Sequence, residues 1–421
     1  MGQFVKGAWP LLLGMLLLMV GNGMHGTLLG IRGEAAGFST FEMSMVMSAY
    51  FVGFLGGSRM TPELIRRVGH VRVFAAMASM ISAVLILYPT LEHPVAWIAG
   101  RTLMGLCFSG VYVTAESWLN NAATNDTRGK ALSIYMMVQM FGIVAAQGML
   151  TIPDATGFLL FVIPSVLVSI SFAPILLSVS PTPAFDTTKP MSLKELFNNS
   201  PLGVVGMFLL GGVFSAQFGM SAVFATRAGL NLSELSLFVA AFYVGATVFQ
   251  YPLGWMSDRL DRRILIMFVA AIGAAGAMMG FWAGDNYQML LVAALFIGGF
   301  SNPLYSMLIA HANDFLEYED MAAASGGLVF VNGVGAIAGP LITGWMMDAI
   351  GPRGYFIYLV IPLAALGLYA GYRTTRRPAA PVDETGSYTA VMPTASVVAV
   401  EVAQEVAIEI AMEEEQEAAA G

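Results

Sequence analysis

The chain has 421 residues and a formal net charge of −8; 57% of its residues are apolar and only 11% charged, for a mean hydropathy of +0.73. A soluble domain averages about 45–50% apolar and about 25% charged residues, so a water-soluble enzyme is excluded and the composition is that of a membrane protein. One cysteine, Cys107, forms no internal disulfide and four scattered histidines offer no zinc-ligand spacing, so no metal or other cofactor is expected.

A bilayer core about 30 Å thick takes about 20 apolar residues per helix. Runs of that length predict twelve spans, at 9–30, 41–58, 73–91, 95–119, 131–150 and 156–179, then 202–226, 233–254, 264–283, 289–311, 322–347 and 355–372. Lys6 ahead of the first run resembles a secretory signal, but that run is too long and eleven more follow, so it is kept as a span. With the N-terminus in the cytoplasm, all but four of the 19 Lys and Arg residues fall on the inner side, as the positive-inside rule demands. The exceptions are Arg32, Arg101, Arg227 and Arg353. The expectation is an all-α multi-pass membrane protein with both termini cytoplasmic. Its parts are a six-helix bundle over 1–179, a linker over 180–200, a second six-helix bundle over 201–372 and an acidic tail over 373–421.

Ionisable groups are costly inside a bilayer and normally face a cavity or a partner. His25 sits in the outer half of the first span with Asn22 three residues earlier on the same face; it reads either as a proton relay or as a packed core histidine. Arg101, about two turns into the fourth span, reads either as a cavity-facing cation that pairs with a substrate or a coupling group or as a side chain snorkelling to the headgroups. Glu116 is the one acid more than two residues inside a span, and reads as a latch at the inner helix end or as a proton carrier. Gln139, Gln147, Gln217, Asn302 and Asn332 lie near mid-helix, where interhelical hydrogen bonding is the alternative to lining a path. The 29 methionines do not form a copper site, because Met43, Met45 and Met47 alternate by two and share no helical face. No Gly-rich phosphate loop or nucleophile turn is present, so neither ATP hydrolysis nor another enzymatic activity is expected. An acidic chain with no basic patch argues against nucleic acid as a partner.

The tail from Arg373 carries three arginines against nine acids. Residues 378–394 read as disordered. Beyond them Glu401, Glu405, Glu409 and Glu413 recur every four residues with Val397, Val400 and Ile408 off their stripe, the pattern of a short helix. That helix reads as solvated, as a contact for the basic inner loops or as a dock for a protein partner.

The two halves also rhyme. After the eighth span comes Gly254-x-x-x-Asp258-Arg259-x-x-Arg262-Arg263; after the second come Arg66, Arg67, Gly69 and Arg72, with Arg66 where the first acid stands in the later copy. With Arg101-x-x-x-Gly105 and Gly335-x-x-x-Gly339-Pro340, these loops resemble those of the major facilitator superfamily, over about 370 residues. Ala115-Glu116-Ser117 and Arg128-Gly129 are most similar to its YcaD-type transporters. The resemblance implies a monomer with two pseudo-symmetric six-helix bundles and a central path lined by spans one, four, seven and ten, which favours Asn22, His25, Gln217 and Asn302, with Asn332 nearby. It implies an inner gate of Arg66, Arg67, Gly69, Arg72, Gly254, Asp258, Arg259, Arg262 and Arg263, for which a pair between Glu116 and Arg66, Arg67 or Arg72 is the expected latch. The function it implies is secondary transport of a small solute across the bacterial inner membrane by alternating access, coupled to protons, with composition leaning towards efflux. An organic-anion uptake symporter and a non-transporting sensor or assembly factor are the alternatives.

Overall fold

A computed structural model of the protein describes residues 2–123, 125–151, 158–177, 191–376, 378, 386 and 388–420. The first half contains α1 (Gly2–Ala35), α2 (Thr40–Val68), α3 (His70–Leu87), α4 (Pro94–Ala122), α5 (Asn125–Met149) and α6 (Leu159–Leu176). A short α7 (Leu193–Asn199) leads into α8 (Pro201–Arg227), α9 (Leu232–Ser257), α10 (Arg262–Trp282), α11 (Tyr287–Asn313), α12 (Tyr318–Ile350) and α13 (Gly354–Thr374), and α14 (Val397–Ala420) follows in the tail. Among the described residues eleven helices are long and apolar enough to cross a bilayer. The twelfth crossing helix is α2, 29 residues long and less apolar because Glu42 stands near one end and Glu63, Arg66 and Arg67 at the other. Most of the linker, 178–190, and of the first stretch of the tail lies outside the described residues.

The two halves repeat one packing plan: α2 lies on α4, α3 on α6 and α1 on α5, as α9 lies on α11, α10 on α13 and α8 on α12. The repeat reaches the local chemistry. Ser39 and Glu42 close a capping box at the start of α2, and Asn231 and Glu234 close the same box at α9, each satisfying amide groups that the first helical turn leaves open. Glycines set the crossings. A Cβ at Gly53 would strike the carbonyl of Thr102 and one at Gly105 the carbonyl of Tyr50; Gly245 and Gly298 meet Leu295 and Phe242 in the same way. Such contact of bare backbone is how helices associate in a lipid solvent that supplies no hydrophobic drive between them.

The halves meet at the end of the bundle remote from the arginine-rich loops. There Arg227 forms an ion pair with Glu34 at 3.1 Å and donates to the carbonyl of Phe38. The Ser48 hydroxyl donates to the carbonyl of Ile337 at 2.6 Å, and Gly344 lies against Ser44. At the arginine-rich end the space between the halves is filled by the tail. Residues from Tyr388 onward are packed there, with Val391, Met392, Ala395, Val400, Val402 and Ala403 buried, where the sequence predicts disorder as far as Thr394. Composition describes how this stretch would behave in water, whereas in the folded chain its apolar side chains have a protein surface to enter.

Candidate functional site

Close under the sealed end, three helices of the first half bring His25 (α1), Met47 and Tyr50 (α2) and Arg101 (α4) together. Arg101 is 5% exposed, and its guanidinium donates to His25 Nδ1 at 3.2 Å and to the sulfur of Met47 at 3.4 Å. Its Cζ lies 4.8 Å from the centre of the Tyr50 ring, a cation–π contact. A guanidinium only donates, so His25 Nδ1 accepts, and the neutral ring carries its proton on Nε2. That Nε2, the Nε of Arg101 and the hydroxyl of Tyr88 are all buried without a hydrogen-bond partner among the described residues. Tyr88 belongs to the same cluster, its ring 5.0 Å from that of His25 and 5.7 Å from that of Trp97. No carboxylate faces Arg101 among the described residues. The Arg101 side chain turns into the bundle rather than out along the surface of α4.

Across the interface stands a single π-helical turn, Ala216–Met220, inside α8. Such turns insert one extra residue and are common at functional sites. Here the turn brings the carbonyl of Phe218 to 3.8 Å from where a Cβ of Gly26 would lie, and sets Gly219 against Met47. Gln217, on the same turn, donates to Ser301 at 2.7 Å while its Oε1 has no partner among the described residues. Asn22 is half-buried one turn before His25. Asn302 and Asn332 are used structurally: the first donates to the carbonyl of Gly298 in its own helix at 2.9 Å, the second to Met207 of α8 at 3.0 Å.

From Arg101 an aromatic ladder of Tyr50, Phe54, Phe108 and Tyr112 descends between α2 and α4, with successive ring centres 6.1 to 6.2 Å apart. It ends at Glu116, about 22 Å along α4 from Arg101 at 1.5 Å per residue. Glu116 is buried, and the expected latch to Arg66, Arg67 or Arg72 is not the arrangement present. Its carboxylate instead accepts from Tyr135 at 3.3 Å and from the backbone amide of Ser396 at 3.0 Å, and from the Ser396 hydroxyl. Arg66 and Arg67 both turn to Glu63 on their own helix, Arg67 at 2.7 Å, Arg72 is exposed, and Gly69 with φ +84° makes the break between α2 and α3. At an exposed helix end, an acid three or four residues back is reached at less cost than one on another helix.

The second loop is more enclosed. Arg262, 3% exposed, pairs with Asp314 at the end of α11, with Asp258 at 3.5 Å and with the carbonyl of Gly386. Burial pushes the Asp314 carboxyl up to about 6, against the opposing pull of Arg262. Arg263 pairs with Asp261 at 2.7 Å, Arg259 covers the Trp255 ring, and Gly254 lies under the ring of Tyr388. Tyr50, Tyr88, Asp314, Tyr388 and Ser396 carry no motif; only the burial and pairing of their partners points to them.

A profile of the Major Facilitator Superfamily matches residues 11–236 and 221–403. The uncharacterized MFS-type transporter YcaD of Salmonella heidelberg (strain SL476) is 25% identical over 367 residues, covering 85% of this chain and 94% of that protein; YcaD of Salmonella typhimurium is similar to the same extent. Among solved structures, the nucleoside transporter NupG aligns with a TM-score of 0.74 at 12% identity, over 87% of this chain and 98% of that one. A bacterial homolog of the human lysosomal transporter Spinster aligns with a TM-score of 0.65 at 16% identity, over 95% and 94%. Those two likenesses are of fold. The chain belongs to the Major Facilitator Superfamily and is a multi-pass secondary transporter of that fold, not an enzyme.

Proposed function

We propose that the chain carries a small organic anion together with a proton across the bacterial inner membrane, with both termini and the arginine-rich loops in the cytoplasm. The observation that carries this reading is Arg101, buried with no acid facing it and an Nε left without a partner among the described residues. Placing an arginine inside a spanning helix costs up to about 3 kcal/mol on insertion scales, and a fixed carboxylate is the usual compensation. Where none is built in, a carboxylate or phosphonate arriving as solute supplies it, in the bidentate geometry that guanidinium favours.

His25 supplies the coupling. A proton on its Nδ1 would set two cations 3.2 Å apart in a low-dielectric site, a repulsion of several kcal/mol at an effective dielectric of 20. An anion lodged between the two removes that repulsion, so anion and proton enter together. Co-entry driven by the proton gradient is uptake, and the composition-based lean towards efflux gives way on this ground. Alternating access, by rocking of one half on the other, would then carry the loaded site to the opposite face.

The test is uptake of pooled radiolabelled monocarboxylates, dicarboxylates and phosphonates into proteoliposomes under an imposed pH gradient, with neutral sugars and organic cations as controls. Uptake confined to an anion pool, lost in Arg101→Gln and partly kept in Arg101→Lys, is the expected result. Uptake of a cation or neutral solute that Arg101→Gln leaves intact would overturn the reading.

A further inference from the structure

The tail is bonded to both halves of the transporter at once. On the first half, Glu116 of α4 accepts from the amide and hydroxyl of Ser396, and Arg128 of α5 pairs with Glu405 at 2.7 Å and Glu409 at 3.5 Å. On the second half, the amide of Tyr388 donates to Asp258 at 2.6 Å and its hydroxyl accepts from Gln250 at 2.7 Å. The Ser306 hydroxyl accepts from the amide of Val391 at 2.8 Å and donates to its carbonyl at 3.1 Å. Gln404 closes the set by donating to Asn313 at 2.9 Å and accepting from Ser325 at 2.5 Å. Ser396 and Gln404 are 1% and 2% exposed, so these are polar groups taken out of water into matched partners rather than a strand lying on a surface.

We propose that the vestibule at the arginine-rich end is a peptide site whose ligand is this chain's own Gly386 and residues 388–409, and that occupancy slows the transport cycle. Rocking brings the two halves together at this end when the other end opens, and the volume now held by Val391, Met392, Ala395, Val400 and Ala403 must be vacated first. The docked tail also takes the groups the gate needs: Asp258 and Arg262 of the signature loop are bonded to Tyr388 and Gly386. The aromatic ladder below Arg101 ends at Glu116, and Ser396 caps that carboxylate. Only nine residues separate Arg376 from Gly386, and so short a tether keeps the tail at an effective concentration in the millimolar range. Docking therefore holds without a tight intrinsic affinity. The inference is independent of which solute is carried.

The experiment uses the full chain with Cys107→Ala and one reporter cysteine at a time, read by the rate of reaction with a membrane-impermeant maleimide. Ala399→Cys, on the buried face of α14, reports docking; Ser44→Cys, facing Gly344 in the opposite closure, reports opening of the far end. Both are expected to be protected in the full chain, and both to react about tenfold faster or more in Arg128→Glu and in a chain ending at residue 385. If the shortened chain fails to fold, Arg128→Glu decides, and adding Glu405→Arg and Glu409→Arg to it is expected to restore protection. Two results overturn the proposal: an Ala399→Cys that reacts in the full chain as fast as a solvent-exposed thiol, or a Ser44→Cys whose rate is unchanged when the tail is released.

Discussion

The residues that matter most are cations whose surroundings differ in kind. Arg262 is buried against a buried acid, whereas Arg101 is buried against a neutral histidine, a thioether and a tyrosine face. The first is a finished structural unit. Removing its partner leaves a charge stranded, and Asp314→Asn is expected to cost about 3–5 kcal/mol of stability, read as a lowered midpoint of thermal unfolding in detergent. The half-exposed pair of Arg32 and Glu92 sets the contrast, since Glu92→Gln should cost under about 1 kcal/mol. Arg101 is unfinished, so Arg101→Gln should leave thermal stability unchanged or raise it while abolishing transport, a combination that separates a ligand site from a packing role. His25 and Arg101 each stood out in the sequence as ionisable groups within apolar runs. Their pairing did not, because 76 positions separate them and nothing local ties the two helices into register.

Among the elements, the twelve crossings were legible because a bilayer imposes a length and a composition on every one of them. The α2 helix was legible too, although the charges at its ends make it the least apolar of the twelve. The crossings between helices are set by glycines that look alike in sequence and differ in space. Gly105 meets the backbone of α2, whereas a Cβ at Gly56 would have nothing within 4 Å. Gly105→Ala is therefore expected to cost about 1–3 kcal/mol or more through forced separation of α2 and α4, and Gly56→Ala to be neutral or slightly stabilising. Equal unfolding midpoints for the two variants would contradict this account of the crossing. The tail helix was legible as a helix, from the four-residue recurrence of its acids, but not as a buried one. The polar partners of Ser396 and Gln404 lie on helices 79 to 280 positions away, beyond the reach of any periodicity.

At the scale of the whole molecule, the two halves are closed at one end and wedged by the tail at the other. Burial, with Glu405 beside it, pushes the Glu401 carboxyl up to about 7 from its ordinary 4.5. The docked tail thus binds a proton more tightly at Glu401 than the released tail does. Docking is at full strength below about pH 4.5, weakens as the pH rises and levels off above about 7. Glu116 and Arg128 of the first half and Asp258, Arg262 and Asp314 of the second face the rest of the tail, so the share of Glu401 is isolated by Glu401→Gln. That variant should flatten the pH dependence of Ala399→Cys protection between 4.5 and 7; an unaltered profile would assign the dependence to another group.

Proton movement per anion tests the transport mechanism itself. Proteoliposomes loaded with a pH-sensitive dye, containing either the full chain or the Arg128→Glu variant, would receive the anion pool that gives uptake, with no pH gradient imposed. Acidification of the lumen on anion addition is expected, faster in Arg128→Glu than in the full chain and absent in Arg101→Gln and His25→Gln. A lumen that stays at constant pH while the anion enters, or that acidifies equally in Arg101→Gln, would contradict anion–proton co-entry through the Arg101 and His25 site.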